Sequence, residues 1–188
     1  MSVQKIIVIA AAIALTVKLL QVMLLVKRAG GELYGKPAIP GFFVLFAKFA
    51  VVFPFVFVVI NLSGTKIPAL GISEVIIGIG NFLIFVAALF LVLSLDHLGR
   101  FTKMGLPVKD IIRLQTSGIY RISRNPMYLG LILLSVGSMM IIPNLLSIVF
   151  GLSGIILHHL IILKEERFLK ARFGQEYIDY QSKTRRYL

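Results

Sequence analysis

The chain has no cysteine and no tryptophan among its 188 residues, and only eight acidic side chains. Without cysteine there is no disulfide, no thiolate metal site and no cysteine nucleophile. The same absence leaves the redox compartment undetermined. Without tryptophan, an aromatic belt at a membrane surface has to come from 14 Phe and 6 Tyr. Charge is scarce as well, at 15% of residues against roughly 25% in soluble domains. Apolar residues make up 58% and the mean hydropathy is +0.94. Soluble and disordered classes are thereby excluded, and an integral membrane protein is indicated. The charge that is present is lopsided: 20 Lys and Arg against eight acids give a net +12. In a soluble chain that excess would point to nucleic acid. Here it is first an orientation signal.

Apolar runs at 6–26, 41–62 and 75–95 each reach the roughly 20 residues needed to cross about 30 Å of hydrocarbon. The first is too long for a cleaved leader and has no small-residue cleavage site after it. A polar, basic stretch follows at 96–126. Two further runs, 127–142 and 145–163, are separated by Pro143-Asn144, a turn signal because Pro cannot continue a helix. The shorter arm spans only about 24 Å at 1.5 Å per residue, which predicts a tight helical hairpin with that arm shielded by neighbours or thinning the bilayer. The expected fold is all-α: five transmembrane helices, the last two a hairpin, and a cytoplasmic amphipathic helix in the tail. The latter rests on Leu169, Phe173, Tyr177 and Tyr180 at helical spacing, interrupted near Gly174. The chain divides into a three-helix membrane region, 1–95, and a polar-motif region, 96–188, within one compact unit.

Counting basic residues predicts topology. The N-terminus and the 63–74 loop carry Lys5 and Lys66, whereas segments 27–40, 96–126 and 164–188 together carry sixteen. The positive-inside rule puts the sixteen in the cytoplasm, with the N-terminus outside and the C-terminus inside. Attraction to anionic lipid headgroups follows from the same charge. Lys18 and Lys48 lie within apolar runs, and Lys48 can snorkel back toward the basic side.

Polar chemistry concentrates in two patches on that side. The first is the stretch Thr116-Ser117-Gly118-Ile119-Tyr120 through Arg124-Asn125-Pro126-Met127-Tyr128-Leu129-Gly130. Asn125-Pro126 reads as a helix start, whose free N–H groups suit a carboxylate or phosphate. Tyr120 and Tyr128 offer faces for a planar base or a cation. A basic juxtamembrane loop with aromatic anchors explains the same residues. The second patch is Lys164-Glu165-Glu166-Arg167. Acids at a helix C-terminus are unfavourable, but the penalty disappears if the helix runs on. The pair suits an amine or sulfonium, or is a solvated charge cluster; both readings stand. His158 and His159 diverge by about 100° on a helix and cannot share one metal, and no metal-binding spacing is present. The Gly78-Ile79-Gly80 stretch lies in an apolar run and reads as helix packing.

Taken in order, Thr116–Tyr120, Arg124–Gly130, Glu165-Glu166 and Phe173-Gly174-x-x-Tyr177-x-x-Tyr180 resemble the C-terminal half of isoprenylcysteine carboxyl methyltransferases and related phospholipid methyltransferases. The resemblance covers 96–187; the first two helices match only as generic membrane segments. It implies an enzyme that uses S-adenosyl-L-methionine and leaves S-adenosyl-L-homocysteine. Carried over by position, Ile112, Arg113, Leu114, Gln115 and Tyr120 would line the cofactor pocket. Asn125, Pro126, Met127 and Tyr128 would continue it, and Glu165 would close it. The family usually has His where this chain has Asn125, which cannot titrate near neutral pH. The implied acceptor is a prenylated cysteine or a similar lipid-like molecule, entering sideways from the membrane lipids. Its carboxylate would be held by Arg124, Arg167 or Arg100, and Glu165 or Glu166 would bind the cofactor ammonium. Methylation of the amine of phosphatidylethanolamine is the rival, with Glu166 or a histidine as proton acceptor. A sterol-type reductase and a non-enzymatic membrane adaptor are the remaining alternatives. No metal and no nucleic acid are expected.

Overall fold

The computed structural model describes residues 3–28, 40–98 and 114–188. Apolar runs in this chain become helices because hydrocarbon offers the backbone no hydrogen-bond partner outside its own segment. Six α-helices are described: α1 (Val3–Arg28), α2 (Gly41–Leu62), α3 (Glu74–Leu98), α4 (Pro126–Ile141), α5 (Leu145–Phe173) and α6 (Gln175–Lys183). A 3₁₀ turn, Gly118–Arg121, precedes α4. Among the described residues there is no strand, and α1, α2, α3 and α5 are long and apolar enough to cross a membrane. The 16-residue α4 is shorter than these.

That short helix is central. It packs against α3, α2 and α5, while α5 also lies along α2, and α1 docks chiefly on α3. Close approach is made by glycine. A Cβ on Gly80 of α3 would lie 2.7 Å from the Gly137 carbonyl oxygen, and one on Gly137 would lie 2.7 Å from that of Gly80. The two backbones therefore touch, as small residues allow in membrane helices. Of the Gly78-Ile79-Gly80 stretch, only Gly80 makes such a contact; Gly78 faces open space. Gly154 plays the same part between α5 and α2, where a Cβ would lie 2.7 Å from Val51 Cα. One turn earlier, Phe150 packs against Phe46, Phe49 and Phe53 of α2, with ring centroids 6.0, 5.8 and 4.4 Å away.

The Pro143-Asn144 signal has its expected local effect. The Asn144 side chain accepts from the Ser147 amide at 2.8 Å and so caps α5. Helix α5 does not stop at the end of its apolar run. It continues to Phe173 and is ended by Gly174, at φ +54°. Glu165 and Glu166 thus sit inside a helix, and the dipole penalty at a C-terminus does not arise. The tail then turns back: Tyr177 and Tyr180 of α6 are buried, and the Tyr180 hydroxyl donates to the Tyr120 carbonyl at 2.6 Å.

Gly154→Leu is expected to destabilise the protein in detergent by about 1–3 kcal/mol, because the new side chain meets the α2 backbone. A thermal-melting comparison with Gly78→Leu, which should melt close to wild type, checks this.

Candidate functional site

The start of α4 is held from three directions. On the α3 side, Gly118 adopts φ +62° with the His97 imidazole against it, so that any Cβ there would collide with the ring. From below, Met127 packs on Val22 of α1 and Leu95 of α3. From the C-terminus comes a strap of backbone. The Arg124 amide donates to the Arg185 carbonyl at 2.9 Å, the Ser123 hydroxyl donates to the Arg186 carbonyl at 3.1 Å, and Arg124 Nη1 donates to the Thr184 carbonyl.

Glu166 ties these pieces together. Its Oε1 accepts from Arg124 Nε at 3.3 Å, Arg124 Nη2 at 3.1 Å and Asn125 Nδ2 at 3.0 Å. Its Oε2 accepts from Arg186 Nε at 3.1 Å and Nη2 at 2.8 Å. Five N–H groups thus converge on one carboxylate with about four lone-pair sites. Side-chain exposure is 6% for Glu166, 10% for Arg124 and 35% for Arg186. Hydrogen bonding to Glu166 holds the Arg186 guanidinium above its ordinary pKa. Burial pushes the nearby Tyr177 phenol up to about 12, and raises Tyr180 as well.

Its neighbour Glu165 is in a different situation. It points about 100° round the helix and, among the described residues, accepts one hydrogen bond, from the Tyr128 hydroxyl at 2.9 Å. The Tyr128 ring lies 5.6 Å from that of His158, and Lys48 of α2 is near enough to act on Glu165 electrostatically. His158 itself bonds the Gly154 carbonyl at 2.8 Å, whereas His159 bonds the Tyr187 hydroxyl at 2.7 Å. The two imidazoles do diverge. Among the described residues no three His, Asp or Glu could hold a metal.

The residues singled out from sequence fall into four groups. Arg124, Asn125 and Glu166 meet in one cluster, with Tyr128 and Glu165 paired beside it. Tyr120 and Pro126 are buried around them; Leu114 and Gln115 are half-buried, with Gln115 donating to Ser117 at 3.0 Å. Arg167 is exposed and apart from the cluster's bonds. Ile112, Arg113 and Arg100 lie outside the described residues. Sequence reasoning missed Arg186, which it counted only as a topology charge, together with Ser123 and Thr184. It also missed that Lys18 forms an ion pair with Asp96, joining α1 to α3.

Residues 75–176, more than half of the chain, match the sequence model of the phospholipid methyltransferase family. The chain belongs to the phospholipid methyltransferase family. No curated protein matches it. The family match begins with α3 and ends just inside α6, so it includes Arg124, Glu165 and Glu166 but not Arg186. With its long apolar helices, this member of the phospholipid methyltransferase family is a membrane methyltransferase-like protein.

Glu166→Ala would leave two partly buried guanidiniums uncompensated, and should cost about 3–5 kcal/mol of stability. Arg167→Ala should stay within about 0.5 kcal/mol of wild type. Denaturation of both variants in the same detergent checks the contrast.

Proposed function

We propose that the protein is a multi-pass membrane enzyme that transfers a methyl group from S-adenosyl-L-methionine to the carboxylate of a prenylated cysteine or a similar lipid-like acceptor. Family membership supports methyl transfer over the reductase and adaptor alternatives. The observation that carries the cofactor assignment is the contrast between adjacent carboxylates. Among the described residues Glu166 is saturated by five donors, while Glu165 bonds Tyr128 alone. The donor set fits the group: a carboxylate for an ammonium, the Tyr128 face for a sulfonium or base, and the free N–H groups in the first turn of α4.

Bound there, S-adenosyl-L-methionine supplies an electrophilic methyl on positively charged sulfur. Glu165 and Tyr128 would hold the amino-acid end, with Tyr120, Pro126 and Met127 forming the wall. Asn125 has donated its amide to Glu166 and to the Arg186 carbonyl, at 3.0 and 3.3 Å, so its part is to fix the α4 start rather than to move a proton. An acceptor carboxylate is ionised at neutral pH and attacks the methyl carbon without a base. The O–C bond forms as the S–C bond breaks, leaving a neutral thioether. What the chain must do is align the two reactants and keep water out.

Transfer to a phospholipid amine is the second reading, favoured by the name of the matched family. It requires a proton acceptor, and Glu165, which among the described residues bonds Tyr128 alone, is better placed for that than the saturated Glu166. For the fold we propose five spans, α1 to α5, with α4 and α5 as a hairpin and the N-terminus outside. The C-terminus and the site would then be cytoplasmic, where sixteen of the 20 basic residues gather.

Glu165→Ala and Tyr128→Ala are each expected to abolish S-adenosyl-L-homocysteine binding, read by calorimetry on folded, detergent-solubilised protein. Unchanged affinity in both variants would sink the cofactor assignment. Because the chain has no cysteine, Ser63→Cys and Ser182→Cys each create a unique thiol. A membrane-impermeant reagent on intact cells should label the first and spare the second; the reverse pattern overturns the orientation.

A further inference from the structure

Lys48 is the one charged residue of α2, half-buried and about 10 Å inside the start of that helix at 1.5 Å per residue. Ionisable side chains at such a depth face the interior of a bundle and mark functional positions. What Lys48 faces is set by the packing of α2 on α5. Phe150 meets Phe53 and Gly154 meets Val51, so the two helices run antiparallel. His158 lies one turn beyond Gly154, and Lys48 lies a turn before Val51, toward the same end of the pair.

Side chains on a helix lean toward its N-terminus. In α2 that lean carries the Lys48 ammonium toward the end of α5 where Glu165 lies, and it is near enough to act electrostatically on both Glu165 and His158. Tyr128 joins the same groups, with its hydroxyl on Glu165 and its ring 5.6 Å from His158. An ammonium from α2 and a carboxylate from α5 thus flank the first turn of α4. A simple cation needs only the carboxylate, and a simple anion only the ammonium. The two together match a ligand that carries both charges on one carbon, as an α-amino acid does. A lysine ammonium has three N–H donors, enough to take a carboxylate while it stays in the field of Glu165.

We propose that Lys48 binds the carboxylate at the amino-acid end of the cofactor while Glu165 binds its ammonium. This inference rests on the cofactor reading above and adds to it a residue of α2, which lies ahead of the family match at 75–176. A phosphatidylethanolamine headgroup also carries both signs of charge, but an ethyl arm separates its phosphate from its ammonium. The amino-acid end is favoured because Glu165 and Tyr128, already assigned to it, are the groups that Lys48 adjoins.

The test titrates detergent-solubilised protein with S-adenosyl-L-homocysteine and with its decarboxylated analogue, which keeps the ammonium. Wild type should bind the first more tightly by about tenfold or more, the scale of one hydrogen bond to a charged group. K48M should lose that preference: S-adenosyl-L-homocysteine weakens by about tenfold or more, and the decarboxylated analogue binds no more weakly than to wild type. K48R, which keeps the charge, should recover most of the preference. Equal weakening of both ligands in K48M, as a merely structural lysine would give, overturns the proposal, as does a wild type without preference. Binding of glycerophosphoethanolamine that K48M abolishes, with S-adenosyl-L-homocysteine unaffected, assigns Lys48 to a lipid headgroup and also overturns it. A wild type that binds neither adenosyl ligand overturns the cofactor reading itself, and this inference with it.

Discussion

One buried carboxylate joins the two ends of the polar region. Glu166 sits about three-quarters of the way along α5, yet it accepts from the residues that begin α4 and from Arg186, two positions before the last residue. A charge there is costly to bury, and the cost is offset only because donors surround it. The arrangement then orders everything near it. Arg124 is fixed and in turn holds the Thr184 carbonyl; Asn125 is fixed and in turn sets where α4 starts. The strap of 184–187 is thereby laid across the site rather than left in solvent.

That constraint explains why neighbouring carboxylates take different parts. Successive residues on a helix diverge by about 100°, so Glu165 faces Tyr128, His158 and the reach of Lys48, whereas Glu166 faces the strap. One is consumed by architecture, and the other, among the described residues, accepts from Tyr128 alone. The division of labour does not depend on any difference in residue type. It follows from which helix face meets which neighbour.

The membrane core supplies the rigidity behind this. Gly80 against Gly137, and Gly154 against Val51, let backbones touch where apolar side chains could slide. In hydrocarbon, such close packing takes over much of the role that water-driven burial has in soluble proteins. The short α4 gains most, since it is enclosed by α2, α3 and α5. A helix of that length can therefore present its first turn to a fixed site.

Helix positions were legible in the sequence because they depend on local properties. Runs of apolar residues and Pro143-Asn144 placed α2 at both ends and the start of α5. The motifs around Tyr120, Asn125 and Glu165 were legible by resemblance, and the structure brings them together at the start of α4. What could not be read was how charges are shared. Arg124, Arg167 and Arg186 look equivalent in a basic tail and loop, and Lys18 gives no sign of Asp96. Those choices rest on contacts between residues up to 78 positions apart, and hydropathy and local spacing carry no information about them. The sequence by itself determined a helical, net-basic membrane chain of a methyltransferase type. Only the tertiary structure decided which carboxylate is enclosed by donors and which arginines share it, because partner choice depends on how helices rotate against one another.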